Sequence, residues 1–324
     1  MKTVVTGAAG FIGANLVRAL LKQGRNVRAV DNVSRGSANN LDGLKLEVAH
    51  ADLRDWNQVK AAIEGADVLY HLAAKVGSID YLHGSNLAEL DALQSNLAID
   101  TNVFRAAKEF SISKVIYASS VSVYPIRHQT KLNARFREED AEPIGPEGGY
   151  GWAKLLGELQ LAMMETNAAA ARIFNAYGEF NEYGKTAQVV PALIRKAINY
   201  PREEFIVWGD GSQTRNLIYI RDVIEALIRM EGKASNPPLI LNIGNERTVS
   251  VRELANMVVK TSRKEIEIQF DPSKPVGPLS RIPDITRAKR AIDWVPKISV
   301  EDGIRLTYEW MSNEMKFVSE LRTA

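Results

Sequence analysis

The sequence predicts an α/β protein, a doubly wound parallel sheet with a smaller, mixed α/β lobe in the C-terminal half. Three observations predict it. A glycine turn, "GAAGFIG", separates a β-branched run from a helical stretch near residue 7. Short apolar runs then alternate with helix-length segments as far as about residue 175, the pattern of parallel strands joined by crossover helices. Beyond about residue 176 the periodicity weakens, as expected of an inserted lobe.

The elements follow in order. "KTVVT" is a strand, and "ANLVRALLKQG" after the glycine turn has helical spacing and a glycine stop. "NVRAVD" and "LKLEVAHADL" read as the next strands, "WNQVKAAIEG" as a helix, and "ADVLYHLAA" as a strand. A helix around "LQSNLAIDTNVFRAAKEFS" precedes the strand "SKVIYASS". A loop rich in Pro and Gly leads to the helix "YGWAKLLGELQLAMMET". In the second half, "NLIYIRDVIEALI" reads as a strand and helix that rejoin the sheet. The predicted division is therefore discontinuous: residues 1–175 plus about 213–243 for the sheet domain, of the Rossmann type, and about 176–212 and 244–324 for the lobe.

Composition narrows the function classes. Of 324 residues, 45% are apolar and 25% charged, as in ordinary globular proteins. The net charge of +2 gives no electrostatic reason to expect nucleic acid or an anionic membrane as partner. With no cysteine, disulfides, thiolate metal sites and thiol nucleophiles are excluded, and a metal site is not expected. No basic start followed by an apolar stretch suggests a secretory leader, and no apolar run approaches the ~20 residues of a membrane helix. A cytoplasmic setting is the expectation.

Gly7, Gly10 and Gly13 form G-x-x-G-x-x-G between a strand and a helix. Such a turn lets backbone approach a pyrophosphate, and the helix N-terminus offers free N–H groups and positive potential. Asp31 ends the second strand, where a carboxylate accepts from ribose hydroxyls and repels a 2′-phosphate. NAD is therefore expected over NADP. Phe11, Ile12, Asn32, Asp52 and Leu53 are expected around the same cofactor, Asp52-Leu53 at the adenine edge. Tyr150 and Lys154 are spaced i, i+4 and share a helix face. A lysine cation near a phenol lowers its pKa, so Tyr150 can take a proton from a sugar hydroxyl while hydride leaves for the cofactor.

Across nearly its whole length the chain resembles the extended short-chain dehydrogenases/reductases that act on nucleotide sugars. The resemblance rests on "TGAAGFIG", "HLAA", "SSVSVY", "YGWAK", "RIFNAYG", "WGDGSQTRNLIYIRDV", "LNIGNERTVSVRELA" and "RAIDWVP". It implies that Ser120 is the catalytic hydroxyl beside Tyr150 and Lys154. It also implies that Leu72, Ala73, Ala74 and Asn96 line the cofactor, with His71 structural. Lys75, Ser122, Asn175, Val190, Trp208, Arg215 and Arg281 are implied to meet the substrate, the two arginines at its diphosphate. Phe205 or Trp208 would flank the base, or pack in the lobe. Family members usually dimerise through two helices per subunit, here residues 96–110 and 150–166.

Within the family the reaction turns on Ser122. The 3,5-epimerases of GDP-mannose and the GDP-fucose synthases resemble this chain closely. They place a cysteine at this position and a second acid/base just before the proline of "VVP", where this chain has Gln188 and Val189. Lys185 lies a few residues away. A serine without a histidine partner is a poor carbon base, so Ser122 reads as a polar wall of the sugar pocket. The remaining chemistry, which needs no second base, is 4-epimerisation with retained NAD. A GDP-sugar 3,5-epimerase or a 4-keto-sugar reductase is the alternative, and a non-catalytic dinucleotide-sensing protein a remote one.

Overall fold

The computed structural model describes residues 1–77, 84–129, 134–141, 145–184, 187–274 and 281–323. Seven parallel strands form the central sheet: β1 (Lys2–Thr6), β2 (Asn26–Asp31), β3 (Glu47–His50), β4 (Val68–His71), β5 (Lys114–Ser120), β6 (Asn167–Ile173) and β7 (Leu239–Ile243). Their order is β7-β6-β5-β4-β1-β2-β3. The direction of winding reverses between β1 and β4, and ligands of such sheets bind in the crevice at the carboxyl ends of those strands.

The helices are α1 (Phe11–Lys22), α2 (Trp56–Ile63), α3 (Asn86–Glu109), α4 (Gly148–Met163), α5 (Val189–Asn199), α6 (Ile220–Glu231), α7 (Val251–Ser262), α8 (Thr286–Ile292) and α9 (Val300–Thr323). Two end conditions matter for the site. Asp55 and Ser85 cap α2 and α3 with their side chains, whereas Gly10 begins α1 with no side-chain cap. The first N–H groups of α1 are thus left for a ligand.

One apolar cluster joins a face of the sheet to the lobe. It runs from Val5 and Tyr70 through Val190, Leu193 and Phe205 to Ile304 and Met311. Residues of the second half of the chain therefore share one apolar core with this face of the sheet. A second cluster, with Val103, Phe104 and Leu161, fills the other face under α3 and α4.

Two readings of the sequence need correction. "NLIYI" does not enter the large sheet: only Ile218–Tyr219 is extended, and it pairs in parallel with Ala176–Tyr177 in a small ribbon. The chain turns into α6 at Ile220 before a longer ladder can form. The seventh strand is instead Leu239–Ile243, paired with β6. And α3 starts several residues earlier than "LQSNL" suggested, at Asn86.

Candidate active site

One cleft of about 1050 Å³ runs from the glycine turn to the lobe. That lies at the upper end for ligand sites, as a dinucleotide and a second nucleotide end to end require.

The glycines are sterically fixed. Gly7 has φ +68, and a Cβ on it would lie 2.8 Å from the Ala73 nitrogen; one on Gly13 would lie 2.0 Å from the Gly7 carbonyl oxygen. Asp31 reaches this turn: its Oδ2 accepts from the Ala9 N–H at 2.8 Å, and its Oδ1 from the Val33 N–H at 2.8 Å. Its carboxylate thus stands beside the uncapped start of α1. Arg35, a cation near Asp31 in sequence, is paired with Glu182 at 2.9 Å. Asp52 is gripped by the Arg54 guanidinium, whose hydrogen bonds hold its carboxyl below the usual range. These features fit a dinucleotide whose ribose diols, rather than a 2′-phosphate, meet the protein.

Beyond the crevice stand Ser120, Tyr150 and Lys154, all buried. Ser120 ends β5, and Tyr150 and Lys154 lie on α4. The Ser120 hydroxyl faces the same cleft as the Tyr150 phenol and accepts from the Ser122 N–H at 3.1 Å. The Lys154 ammonium lies 5.8 Å from the centre of the Tyr150 ring and 4.5 Å from that of Tyr117. Burial pushes the phenol of Tyr150 up, and the Ser120 hydroxyl acts against that. Burial likewise pushes Lys154 down, opposed by the charges of Asp100 and Glu158.

Behind Lys154 lies a buried polar chain. The Leu72 and Ala73 N–H groups donate to Thr6 Oγ1 at 3.2 Å each, and the Thr6 hydroxyl meets His71 Nδ1 at 2.8 Å. His71 Nε2 meets Asp100 Oδ1 at 3.0 Å, and the Tyr117 hydroxyl donates to Asp100 Oδ2 at 2.6 Å. Burial pushes His71 below its usual pKa, and the hydrogen bond and charge of Asp100 oppose this. His71 is thus a structural element of the crevice floor.

At the lobe end, Arg215 and Arg281 face the cleft. Burial first, and the charge of Arg281 second, lower Arg215 to about 10. Two guanidinium groups held this near each other make a site for a multivalent anion. The Nε of Arg281 is buried without a partner among the described residues.

The cleft gathers nearly every residue singled out in the sequence. Gly7, Gly10, Phe11, Ile12, Gly13, Asp31, Asn32, Asp52, Leu53, Leu72, Ala73 and Ala74 line its sheet end. Lys75, Ser122, Asn175, Val190, Trp208, Arg215 and Arg281 line the remainder. Asn96 is the exception. It is fully buried, and its amide accepts from the Lys75 N–H at 2.8 Å and donates to the Lys75 carbonyl at 3.0 Å. It holds Lys75, which lines the cleft, in place and is not itself among the lining residues. Phe205 is core, whereas Trp208 is 45% exposed on the cleft and is the aromatic left for a base. Lys185 lies outside the described residues.

Sequence reasoning missed two carboxylates, Asp100 and Glu147. Asp100 is an acid on the inward face of a helix, four residues after Asn96, and that placement was a usable signal. Glu147 precedes α4 and lines the cleft; its Oε2 accepts from the Ser122 hydroxyl at 3.0 Å, and its Oε1 pairs with Arg281.

Residues 3–244 match the model of the NAD dependent epimerase/dehydratase family. The chain belongs to this family. It is 28% identical to GDP-mannose 3,5-epimerase 1 of Oryza sativa subsp. japonica, over 98% of this chain and 83% of the relative. It is 30% identical to UDP-N-acetyl-alpha-D-glucosaminuronate decarboxylase of Bacillus cytotoxicus, over 95% of this chain and 97% of that one. Among solved structures, UDP-glucose 4-epimerase of Thermotoga maritima, determined with UDP-glucose, superposes with a TM-score of 0.86 at 25% identity. That match covers 97% of this chain and all of the other, 100%. NAD is the family's cofactor, and the glycine cradle with Asp31 at its rim fits it.

Proposed function

We propose that this protein is an NAD-dependent nucleotide-sugar 4-epimerase. One observation carries the reading: a Ser120–Tyr150 hydroxyl pair, backed by Lys154, opens on the same cleft as a guanidinium pair suited to a diphosphate. The 4-epimerase fold neighbour supports it.

Gly7 to Gly13 and Asp31 would hold the cofactor, which when bound accepts and returns a hydride at the sugar's C4. Tyr150 takes the proton of the C4 hydroxyl, with Ser120 holding the same oxygen. Lys154 keeps positive charge beside the phenol, which favours the phenolate. Arg215 and Arg281 retain the diphosphate while the 4-keto sugar turns over about its linkage. Tyr150 then returns the proton to the new C4 oxygen.

The test supplies UDP-glucose, UDP-glucuronate, UDP-N-acetylglucosamine and GDP-mannose in turn, each deuterated at C4, with no added cofactor. NMR should show inversion at C4 with the deuterium kept. Replacement of that deuterium by solvent hydrogen, or a requirement for NADPH, would sink the reading. A second reading, inversion at C3 and C5 of a GDP-sugar, is favoured by the plant relatives. It needs a base beside the ketone.

The proposal extends to the assembly. Leu87 and Leu90 on α3, with Trp152, Leu159 and Met163 on α4, are exposed apolar side chains on the two helices expected to dimerise. Light scattering should report twice the 35.9 kDa chain mass. A single-chain mass at working concentration would reject the dimer.

A further inference from the structure

Glu147 occupies the N-cap position of the helix that carries Tyr150, yet its side chain makes no cap hydrogen bond. A carboxylate at that position ordinarily accepts from the helix's free N–H groups. Here the Gly149 N–H is instead taken by Glu89 from α3. Glu147 is turned into the cleft, where it holds the Ser122 hydroxyl and Arg281. The placement is fixed twice over, because the Glu147 N–H also donates to the Ser122 carbonyl at 2.8 Å. Gly151 allows this approach; a Cβ there would lie 2.2 Å from that same carbonyl oxygen. Ser122 therefore has an acid/base partner that its sequence neighbours do not reveal.

We infer that Glu147, oriented by Ser122, is a second acid/base that removes and returns a carbon-bound proton next to the C4 ketone of the bound sugar. The inference rests on the reading of C4 as the oxidised carbon. A ketone at C4 makes the hydrogens on C3 and C5 acidic, and a carboxylate can take such a proton when the enolate oxygen is hydrogen-bonded. The step balances without a co-reactant. The C–H bond breaks and its proton forms O–H on Glu147. The electron pair moves into the C–C bond and onto the C4 oxygen, where Tyr150 and Ser120 donate. Reversal restores C–H, and in heavy water the proton on Glu147 exchanges first, so the carbon returns labelled. Arg281 serves two anions: an arriving diphosphate competes with Glu147 for it, and its unpartnered Nε is a donor left for that role.

The test supplies the ketone directly, which separates this step from C4 oxidation. UDP-4-keto-6-deoxyglucose and GDP-4-keto-6-deoxymannose are incubated with the NAD-loaded protein in heavy water, and H3 and H5 are followed by NMR. We expect exchange at one of them about 100-fold or more above the protein-free rate, reduced about 100-fold by E147Q and about 10-fold by S122A. Circular dichroism and retained NAD check that both variants fold. Exchange at the protein-free rate on both ketones would overturn the inference, as would full exchange by E147Q. C4 inversion of the parent sugars is scored in parallel. Inversion without exchange removes the role of Glu147 alone, whereas exchange without inversion removes the 4-epimerase reading and leaves Glu147 standing.

Discussion

The Tyr117 hydroxyl donates to the Asp100 carboxylate at 2.6 Å, and the Lys154 ammonium lies 4.5 Å from the centre of the same Tyr117 ring. The contact is made possible by Gly157 in the middle of α4, where a Cβ would lie 2.3 Å from the Tyr117 oxygen and 2.8 Å from Asp100 Oδ2. A mid-helix glycine costs about 1 kcal/mol relative to alanine. The fold accepts that cost for a buried carboxylate whose partners are His71 and Tyr117 and whose charge bears on both Lys154 and Tyr150.

Asp100 is accordingly expected to set the pH range of the reaction. Burial lowers Lys154, and Asp100 and Glu158 oppose it; burial raises Tyr150, the Ser120 hydroxyl opposes that, and the charges of Asp100 and Glu147 add to the rise. Removing the Asp100 charge therefore lowers both pKa values. In D100N the pH dependence of kcat, which follows these two groups, moves to lower pH. A shift of the whole kcat profile by about one unit is expected. A profile of reduced height at unchanged pH would mean that Asp100 only packs.

Tyr150 and Ser120 should separate by size of effect. Y150F removes the proton acceptor and should lower kcat about 1,000-fold or more, whereas S120A removes one hydroxyl that orients the phenol and should cost about 10- to 100-fold. Dissociation constants for NAD, from fluorescence, should change little for S120A. A Y150F enzyme within tenfold of wild type would displace Tyr150 from the mechanism.

Gly13 tests the cradle. In G13A the new methyl meets the Gly7 carbonyl oxygen, a backbone atom that cannot turn aside. NAD affinity should fall by about 100-fold or more, a loss of ~3 kcal/mol. Calorimetric titration would read it, and an unchanged affinity would mean that the pyrophosphate does not sit on this turn.

Arg215 tests the anion site from the stability side. Its pKa is lowered to about 10 by burial and then by Arg281, so the folded state disfavours the charged form. The sign follows: folding carries a penalty at every pH below about 10, where the guanidinium stays protonated in both states, and the penalty fades only above that. R215M should therefore raise, not lower, the Tm of the substrate-free protein at pH 7. The same variant should weaken nucleotide-sugar binding about tenfold or more, because charge-assisted hydrogen bonds are lost. A lower Tm with intact binding would assign Arg215 to packing.

Much of the site was legible because its parts are local. The glycine turn, the strand-ending Asp31 and the i, i+4 pair Tyr150 and Lys154 each follow from backbone geometry within a few residues. Other parts were not. β6 reads "NAAAARI", a run that helix propensity alone would favour, and its neighbours β5 and β7 make it a strand. Asn96 fits a motif in sequence, yet packing turns its amide onto Lys75.

The sequence by itself determined the doubly wound class, the glycine turn and the i, i+4 placement of Tyr150 and Lys154, since periodicity and turn chemistry act over short spans. Only the tertiary structure decided what surrounds them. Glu147 meets Ser122 across 25 positions and Arg281 across 134, and Asp100 meets His71 across 29. Those pairings depend on how α3 and α4 pack on the sheet and on where the lobe closes. A buried charge takes whatever partner that packing brings within reach, and no local pattern records the choice.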